Sequence, residues 1–396
     1  MKENFIILIQ GDALRIPLAD ESVQCVVTSP PYWGLRDYGL GDKGIGLEST
    51  PEEYVAKMIE VFREVKRVLR SDGTLWLNMG DSYFGDSPVR NSSMEQFDPD
   101  YQTVLKRSAG GNRRSAASMN GLKPKDLCGI PWRLAFALQE DGWYLRSDII
   151  WYKPNPMPES VKSRPTKSHE YLFLLTKSSK YYYDNEAIKE PLADSTLADG
   201  RNEKGRMTTG DDTKYDMPPS SWYRNRYFPK IDHGRNKRSV WTIPTSPYKG
   251  AHFATFPPKL VEPCILAGTS AKGCCPKCGM PWVRVVEENT TFEGGSGKAG
   301  RTAEDINSTG KWSGIQYGKN IKLGPVVNTI TLSWRPNCDC GLEPVPCIVL
   351  DPFAGTATVG KVCIKNQRSF VGIELSEKYL NLSKKRLHGS QIGMII

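Results

Sequence analysis

Thr28-Ser29-Pro30-Pro31-Tyr32-Trp33 closes an apolar, β-branched run from Val23 to Thr28, and its residue types suit recognition of an amine on a flat ring. Two prolines fix the backbone and remove two N–H donors, so carbonyls near them can face a donor. The aromatic that follows offers a face to a planar base. The same residues also read as a Pro-rich turn with a core aromatic, and alone they leave both readings open. A second segment, Asp351-Pro352-Phe353-Ala354-Gly355-Thr356-Ala357-Thr358-Val359-Gly360, follows the apolar run Cys347 to Leu350 and opens a helix. Its small residues let a ligand approach the backbone, and a helix N-terminus favours a carboxylate. It does not match G-x-G-x-x-G, so it is no dinucleotide fingerprint. Further on, Phe370-Val371-Gly372-Ile373-Glu374 sets an acid at a strand end, where it can accept both hydroxyls of a ribose. An ordinary strand-to-helix turn with a solvated Glu374 is the alternative.

Two further clusters carry chemistry. Cys275-x-x-Cys278-Gly279 has the spacing of a zinc knuckle, and Cys338-x-Cys340-Gly341 supplies a second pair. Four thiolates suit a closed, structural tetrahedral zinc site rather than a catalytic one with an open position. Cys274 competes with Cys275 as a ligand, and four unconnected thiols remain the plainer reading. Cys25, Cys264, Cys347 and Cys363 lie in apolar patterns and are expected in the core; Cys128 has no assigned role. Between about 184 and 245 cations interleave with aromatics, in Trp222-Tyr223-Arg224-Asn225-Arg226-Tyr227 and in Arg235-Asn236-Lys237-Arg238. Such a stretch can position a protein on phosphates; a solvated loop would look similar.

The elements that must position these residues follow from periodicity. Strands are expected at Asn4–Ile9, Val23–Thr28, Thr74–Asn78, Arg146–Tyr152, Tyr171–Thr176, Cys347–Leu350 and Ser369–Ile373. Helices are expected at 51–69, 131–139, 257–270 and about 358–366. The first has Thr50 as N-cap, Pro51 at its first position and Glu53 at the capping-box position, with Ser71-Asp72-Gly73 as its break. Alternation of this kind predicts an α/β fold with a mostly parallel sheet. Residues 86–120 are polar and read as a loop.

The 396 residues suffice for one large α/β domain with an insertion, and 39% hydrophobic against 24% charged content predicts a packed core. A formal charge of +9 mildly favours a polyanionic partner. The run Phe5–Ile9 is too short for a signal peptide, and no apolar stretch approaches the roughly 18 residues of a membrane span. Ten cysteines without an export signal point to reduced thiols and a metal, hence to the cytoplasm and away from membranes.

Together the Ser29-Pro30-Pro31-Tyr32 and Asp351–Gly360 segments resemble the amino-methyltransferase family of DNA methyltransferases. The catalytic-type motif precedes the cofactor-type motif here, an order that resembles the family's β group. Gly11-Asp12-Ala13, Pro154–Ser160 with His169–Leu174, and His252–Pro257 resemble further family segments. Gly355-Thr356-Ala357 departs by having Ala where Gly is commoner, and the long stretch 272–342 separates His252 from the turn. The resemblance implies a Rossmann-like, circularly permuted S-adenosylmethionine-dependent methyltransferase sheet with a zinc-ribbon-like insertion. It implies catalysis by Ser29, Pro30, Pro31 and Tyr32, with the hydroxyl of Ser29 and carbonyl of Pro30 accepting from an exocyclic amine. Tyr32, with Trp33 beside it, would stack on a base flipped out of double-stranded DNA. The cofactor would be held by Asp12, His252, Asp351, Phe353, Gly355, Thr356 and Glu374, and structural zinc by Cys275, Cys278, Cys338 and Cys340. Arg224, Arg226, Arg235, Lys237 and Arg238 are the implied DNA contacts.

The expected division is a catalytic half at 1–183, a target-recognition region at 184–249, a cofactor half at 250–271 and 343–396, and the Cys-bearing insertion at 272–342. Ser at position 29 resembles cytosine-N4 enzymes more than adenine-N6 ones, which remain the alternative. Protein-glutamine and RNA methyltransferases usually keep the cofactor turn first, and a non-catalytic zinc-dependent DNA-binding protein would not need both motifs. The resemblance admits a cognate restriction endonuclease as partner and leaves oligomeric state and recognition sequence open.

Overall fold

The structure, a computed structural model, describes residues 3–35, 40, 44–84, 121–191, 235–246, 256–292, 325–387 and 394–395. The chain divides into two compact units, one of residues 1–187, 238–283 and 336–396, the other of 188–237 and 284–335.

The first unit is built on a nine-stranded mixed sheet. Its strands are β1 (Ile6–Gln10), β2 (Val23–Thr28), β3 (Leu69–Met79), β4 (Tyr144–Tyr152), β5 (His169–Thr176) and β6 (Val240–Thr242). After β7 (Val283–Phe292) and β8 (Pro325–Arg335), which form a separate two-stranded sheet, come β9 (Ile348–Asp351), β10 (Ser369–Glu374) and β11 (Met394–Ile395). The large sheet runs β11-β1-β10-β9-β2-β3-β5-β4-β6. Six of its neighbouring pairs are parallel, and β5 is antiparallel to both β3 and β4. The helices are α1 (Pro51–Val68), α2 (Ile130–Glu140), α3 (Pro258–Gly268), α4 (Thr358–Lys365) and α5 (Glu377–Leu387).

Local chemistry explains α1. Thr50 caps it by accepting from the Glu53 amide at 3.1 Å, while Glu53 Oε2 accepts from the Thr50 amide at 3.3 Å. Tyr54, Met58, Val61, Phe62, Val65 and Val68 repeat at helical spacing and are fully buried in the core, with Leu75, Leu77 and Phe173 of the sheet. The expected break at Ser71-Asp72-Gly73 is not where the helix stops. Leu69 is already extended and buried, and β3 starts there. A register shift against β2, in which Val23 faces Leu69 but Cys25 faces Thr74, absorbs the extra residues. Gly73 lies at that irregularity because a Cβ there would stand 2.9 Å from the Gln24 carbonyl.

The strand order decides where a ligand can sit. From β2 the chain passes through α1 to β3 on one side; from β9 it passes through α4 to β10 on the other. Neighbouring parallel strands whose connections leave in opposite directions open a crevice at their carboxyl ends. That crevice lies between Thr28 and Asp351. No helix among the described residues is long and apolar enough to cross a membrane.

Candidate active site

The two chemistry-bearing segments, distant in sequence, meet at this crevice. Val26 pairs with Leu350 across β2 and β9, and just beyond this pair the Thr28 hydroxyl donates to Asp351 Oδ1 at 2.7 Å. A cleft partly open to solvent lies over the strand ends. Gly11, Asp12 and Ala13 line it from the end of β1, Ser29 and Pro31 from the end of β2, and Pro352 to Thr356 from the end of β9. Ile373, Glu374, Leu375, Ser376 and Tyr379 line it from the end of β10 onward, with Ile45 and Phe256 closing other sides.

Backbone amides hold the acids of the cleft. Glu374 Oε2 accepts from the Gly355 amide at 2.9 Å and Oε1 from the Ser376 amide at 2.8 Å. Asp12 Oδ1 accepts from the Leu14 amide at 2.9 Å, and Asp351 Oδ1 from the Phe353 amide at 3.1 Å. Burial pushes Asp351 up to about 7, with the nearby charge of Glu374 adding to it and the Thr28 and Phe353 bonds opposing. Glu374 is also raised, chiefly by burial. Among the described residues, no cationic side chain hydrogen-bonds to either acid. The turn after β9 is strained: Gly355 has φ +52° and Ala357 φ +54°, and the second is a left-handed conformation that costs a residue with a Cβ. Arg386 of α5 pins that turn, donating to the Thr356 carbonyl at 3.0 Å and to the hydroxyls of Thr356 and Thr358 at 2.7 and 2.9 Å.

A polar chain leads away from the cleft. Ser29 Oγ lies 3.3 Å from the Tyr32 hydroxyl, which donates to Glu170 Oε2 at 2.8 Å. Asn78 Nδ2 donates to the same carboxylate oxygen at 3.2 Å, and Lys153 pairs with Glu170 Oε1. Burial, then the charge of Glu170, raises the Tyr32 phenol far above its usual range. The Tyr54 hydroxyl pins the turn by donating to the Pro31 carbonyl at 2.8 Å. Gly80 leaves room for the Tyr32 ring, since a Cβ there would come within 2.6 Å of it.

Ser29, Pro31, Asp12, Phe353, Gly355, Thr356 and Glu374 thus share one cleft, with Pro30 and Tyr32 in the same turn and Asp351 buried beneath it. Trp33 does not join Tyr32: it is 3% exposed, in the core, with its indole N–H on the Glu48 carbonyl at 3.0 Å. His252, Arg224 and Arg226 lie outside the described residues, although Phe256 from the His252 segment does line the cleft. Arg235 and Lys237 pair with Glu190 at 3.4 and 3.6 Å, and Arg238 is exposed. Glu170 was legible only as part of the segment His169–Leu174; Asn78, Lys153 and Arg386 had no sequence signal, being ordinary polar residues in or beside strands and a helix, whose partners come from other segments.

Cys275, Cys278, Cys338 and Cys340 gather with all four sulfurs within 4.8 Å of one another, a cluster that can hold zinc. Cys25, Cys264, Cys347 and Cys363 are buried as expected, and so are Cys128 and Cys274.

An α/β sheet with a cleft at its switch point, one side amide-lined and acidic, the other a Pro-Pro turn, has the plan of a ligand-binding α/β enzyme. Residues 23–275 and 346–385 match the N6/N4 DNA methylase family, and the chain belongs to it. The Type II methyltransferase M.Cfr9I of Citrobacter freundii is 40% identical over 390 residues, covering 98% of this chain and 89% of its own. M.XycI of Xanthomonas campestris pv. cyanopsidis is 39% identical, covering 98% and 89%, and M.SmaI of Serratia marcescens 37%, covering 96% and 90%. Both are also Type II methyltransferases. The chain is a DNA methyltransferase.

Proposed function

We propose that this enzyme transfers a methyl group from S-adenosylmethionine to the N4 amine of a cytosine flipped out of double-stranded DNA. The reading rests on one observation: Ser29 and the Pro352–Thr356 turn line the same cleft from adjacent strand ends. The sheet is then that of a permuted methyltransferase, with the amine-binding half (1–183) ahead of the cofactor half (250–271 and 343–396) and target recognition at 184–249.

The residues fit the cofactor. Buried Asp351 and half-buried Glu374, both raised by burial, suit a cation and a ribose. Gly355 leaves open space beside them: a Cβ added there would meet only the Phe353 carbonyl, at 3.9 Å. Asp12, Phe353, Thr356 and Glu374 would hold it, with His252 contributing from its own segment. When bound, it supplies a methyl group activated by a sulfonium.

The polar chain fixes the polarity of Ser29. Because the Tyr32 hydroxyl donates to Glu170, the Ser29 hydroxyl donates to Tyr32 oxygen. Its lone pairs then remain for an N–H of the amine, and the Pro30 carbonyl takes the other. Two acceptors draw the nitrogen lone pair out of the ring and make it nucleophilic. The proton shed after transfer passes to Ser29 Oγ and along Tyr32 to Glu170, whose charge Lys153 balances. Tyr32 and the Pro-Pro turn hold the base, so positioning supplies much of the rate. Ser at the first motif position favours cytosine-N4, because no carboxylate is offered directly to the amine.

Nucleoside analysis of DNA modified by the purified enzyme tests the assignment. N4-methylcytosine is expected, and N6-methyladenine in its place would refute the target base while leaving the site intact. Ser29→Ala is expected to slow transfer by on the order of a hundred-fold with cofactor affinity retained.

A further inference from the structure

We propose that Cys275, Cys278, Cys338 and Cys340 bind one zinc ion that clasps the neck of the inserted segment 279–337, at the sheet edge opposite the methyl-transfer cleft. Four sulfurs within 4.8 Å of one another need only small adjustments to reach the about 3.8 Å separations set by tetrahedral Zn–S bonds of about 2.3 Å. The local backbone already aims amides at the thiols in both segments. In the first, the amides of Lys277 and Cys278 point at Cys275 Sγ, and Gly279, at φ +70°, turns back so that its amide reaches the Cys275 carbonyl at 2.8 Å. In the second, the Cys340 amide points at Cys338 Sγ and Gly341 takes φ +66°. Two chain segments some sixty residues apart thus each present two thiols and a left-handed glycine to one point.

What anchors this point identifies its role. Gln24, buried near the start of β2, donates to the Gly279 carbonyl at 3.4 Å and accepts from the amide of Ile348, the first residue of β9, at 2.7 Å. Arg70, buried near the start of β3 and paired with Asp72, donates to the Cys278 carbonyl. β2, β3 and β9 run parallel, so these contacts lie at their amino ends, whereas Ser29 and Asp351 lie at their carboxyl ends. The five steps from Gln24 to Ser29 span about 17 Å of strand. The cluster therefore touches neither the cofactor nor the target base. It sits instead where the family match breaks off, after residue 275, and resumes at 346. The ion would close the neck through which the extra segment leaves and re-enters the sheet, leaving the strand order undisturbed.

Metal analysis of full-length protein purified without added metal is expected to give about one zinc per chain. The Cys338→Ser/Cys340→Ser variant is expected to lose the zinc and become several-fold more sensitive to protease within 279–337. Its affinity for S-adenosylmethionine should stay within about two-fold, as for independent distant sites. If that variant fails to fold, removing zinc from the native protein with a chelator and restoring it should reproduce and reverse the protease sensitivity. Zinc far below stoichiometric in protein that binds S-adenosylmethionine overturns the proposal. So does a loss of cofactor affinity in step with the metal, or protease sensitivity unaltered by its removal. Ser29→Ala should retain full zinc, which separates failure of this site from failure of the methyl-transfer assignment.

Discussion

Asp351 is nearly inaccessible at 1% exposure, and burial pushes its carboxyl up to about 7, so its charge state changes around neutral pH. Its carboxyl is neutral at low pH and becomes an anion as pH rises, and an anion is what a cationic cofactor stabilises. Affinity for S-adenosylmethionine should therefore strengthen as pH climbs from about 6 to 7.5, measured by calorimetry. Asp351→Asn should bind more weakly and flatten the dependence; a wild-type dissociation constant independent of pH in that window would refute the role. The ligand-free protein should behave oppositely. Its native state holds a proton that the unfolded chain has already released, so this group's contribution to stability is full below the unfolded value of about 4 and falls as pH rises through about 7. Glu170 makes a separate prediction. Glu170→Gln keeps the shape but weakens both the proton's destination and the partner of Lys153. Turnover should drop on the order of a hundred-fold, with the Michaelis constants for DNA and cofactor little altered. An unchanged turnover number would show that the chain from Ser29 to Glu170 carries no proton.

At the scale of elements, the site depends on close approaches that a single methyl group would spoil. Gly80 follows β3 directly, and its missing Cβ makes room for the Tyr32 ring at 2.6 Å and for the Glu170 carboxyl at 3.3 Å. Gly80→Ala should displace Tyr32 and cost about 1–3 kcal/mol through overpacking, seen as a lower denaturation midpoint. Methyl transfer should fall further than that loss of stability explains; full activity would mean that the ring position is irrelevant. The elements themselves are largely legible in the sequence. Thr50-Pro51-x-Glu53 and the period of Tyr54, Met58, Val61, Phe62 and Val65 give α1 to within a residue, because cap and apolar face are local signals. β2, β9 and β10 are apolar runs bounded by turns, and they lie buried as central strands. The start of β3 differs from expectation because Ser71-Asp72-Gly73 carries turn chemistry that pairing with β2 overrides. α5 leaves no clear sequence signal: its face of Leu380, Ser383 and Leu387 has little apolar contrast, and its role in pinning the turn rests on Arg386, a residue that reads as a surface cation. The cleft's residue types are visible because strand ends and Gly- or Pro-bearing turns mark themselves. Trp33 belongs to the core instead, since sequence cannot tell a ring facing a ligand from one facing α1 and its neighbours.

The whole chain carries nine net positive charges, and between residues 222 and 238 it has six Lys or Arg against one Asp. Among the described residues the carboxylates lining the cleft are Asp12 and Glu374, above a buried Asp351. If the basic stretch meets phosphates as proposed, cation recognition in the cleft and phosphate recognition are electrostatically opposite tasks, and salt should separate them. Each phosphate contact releases counterions, so four contacts would give a slope of about −3.6 in log affinity against log salt. That slope means about a hundred-fold weaker DNA binding between about 50 and 200 mM salt. A small, largely enclosed ligand releases no such atmosphere, and its dissociation constant should change only slightly over the same range. Replacing Arg224 and Arg226 by Ala should lower the magnitude of the slope by about two if both touch phosphates, and leave cofactor binding alone. Titrations of a labelled duplex at four salt concentrations would measure it. A slope near zero in the native protein would mean that its excess positive charge serves something other than the DNA backbone.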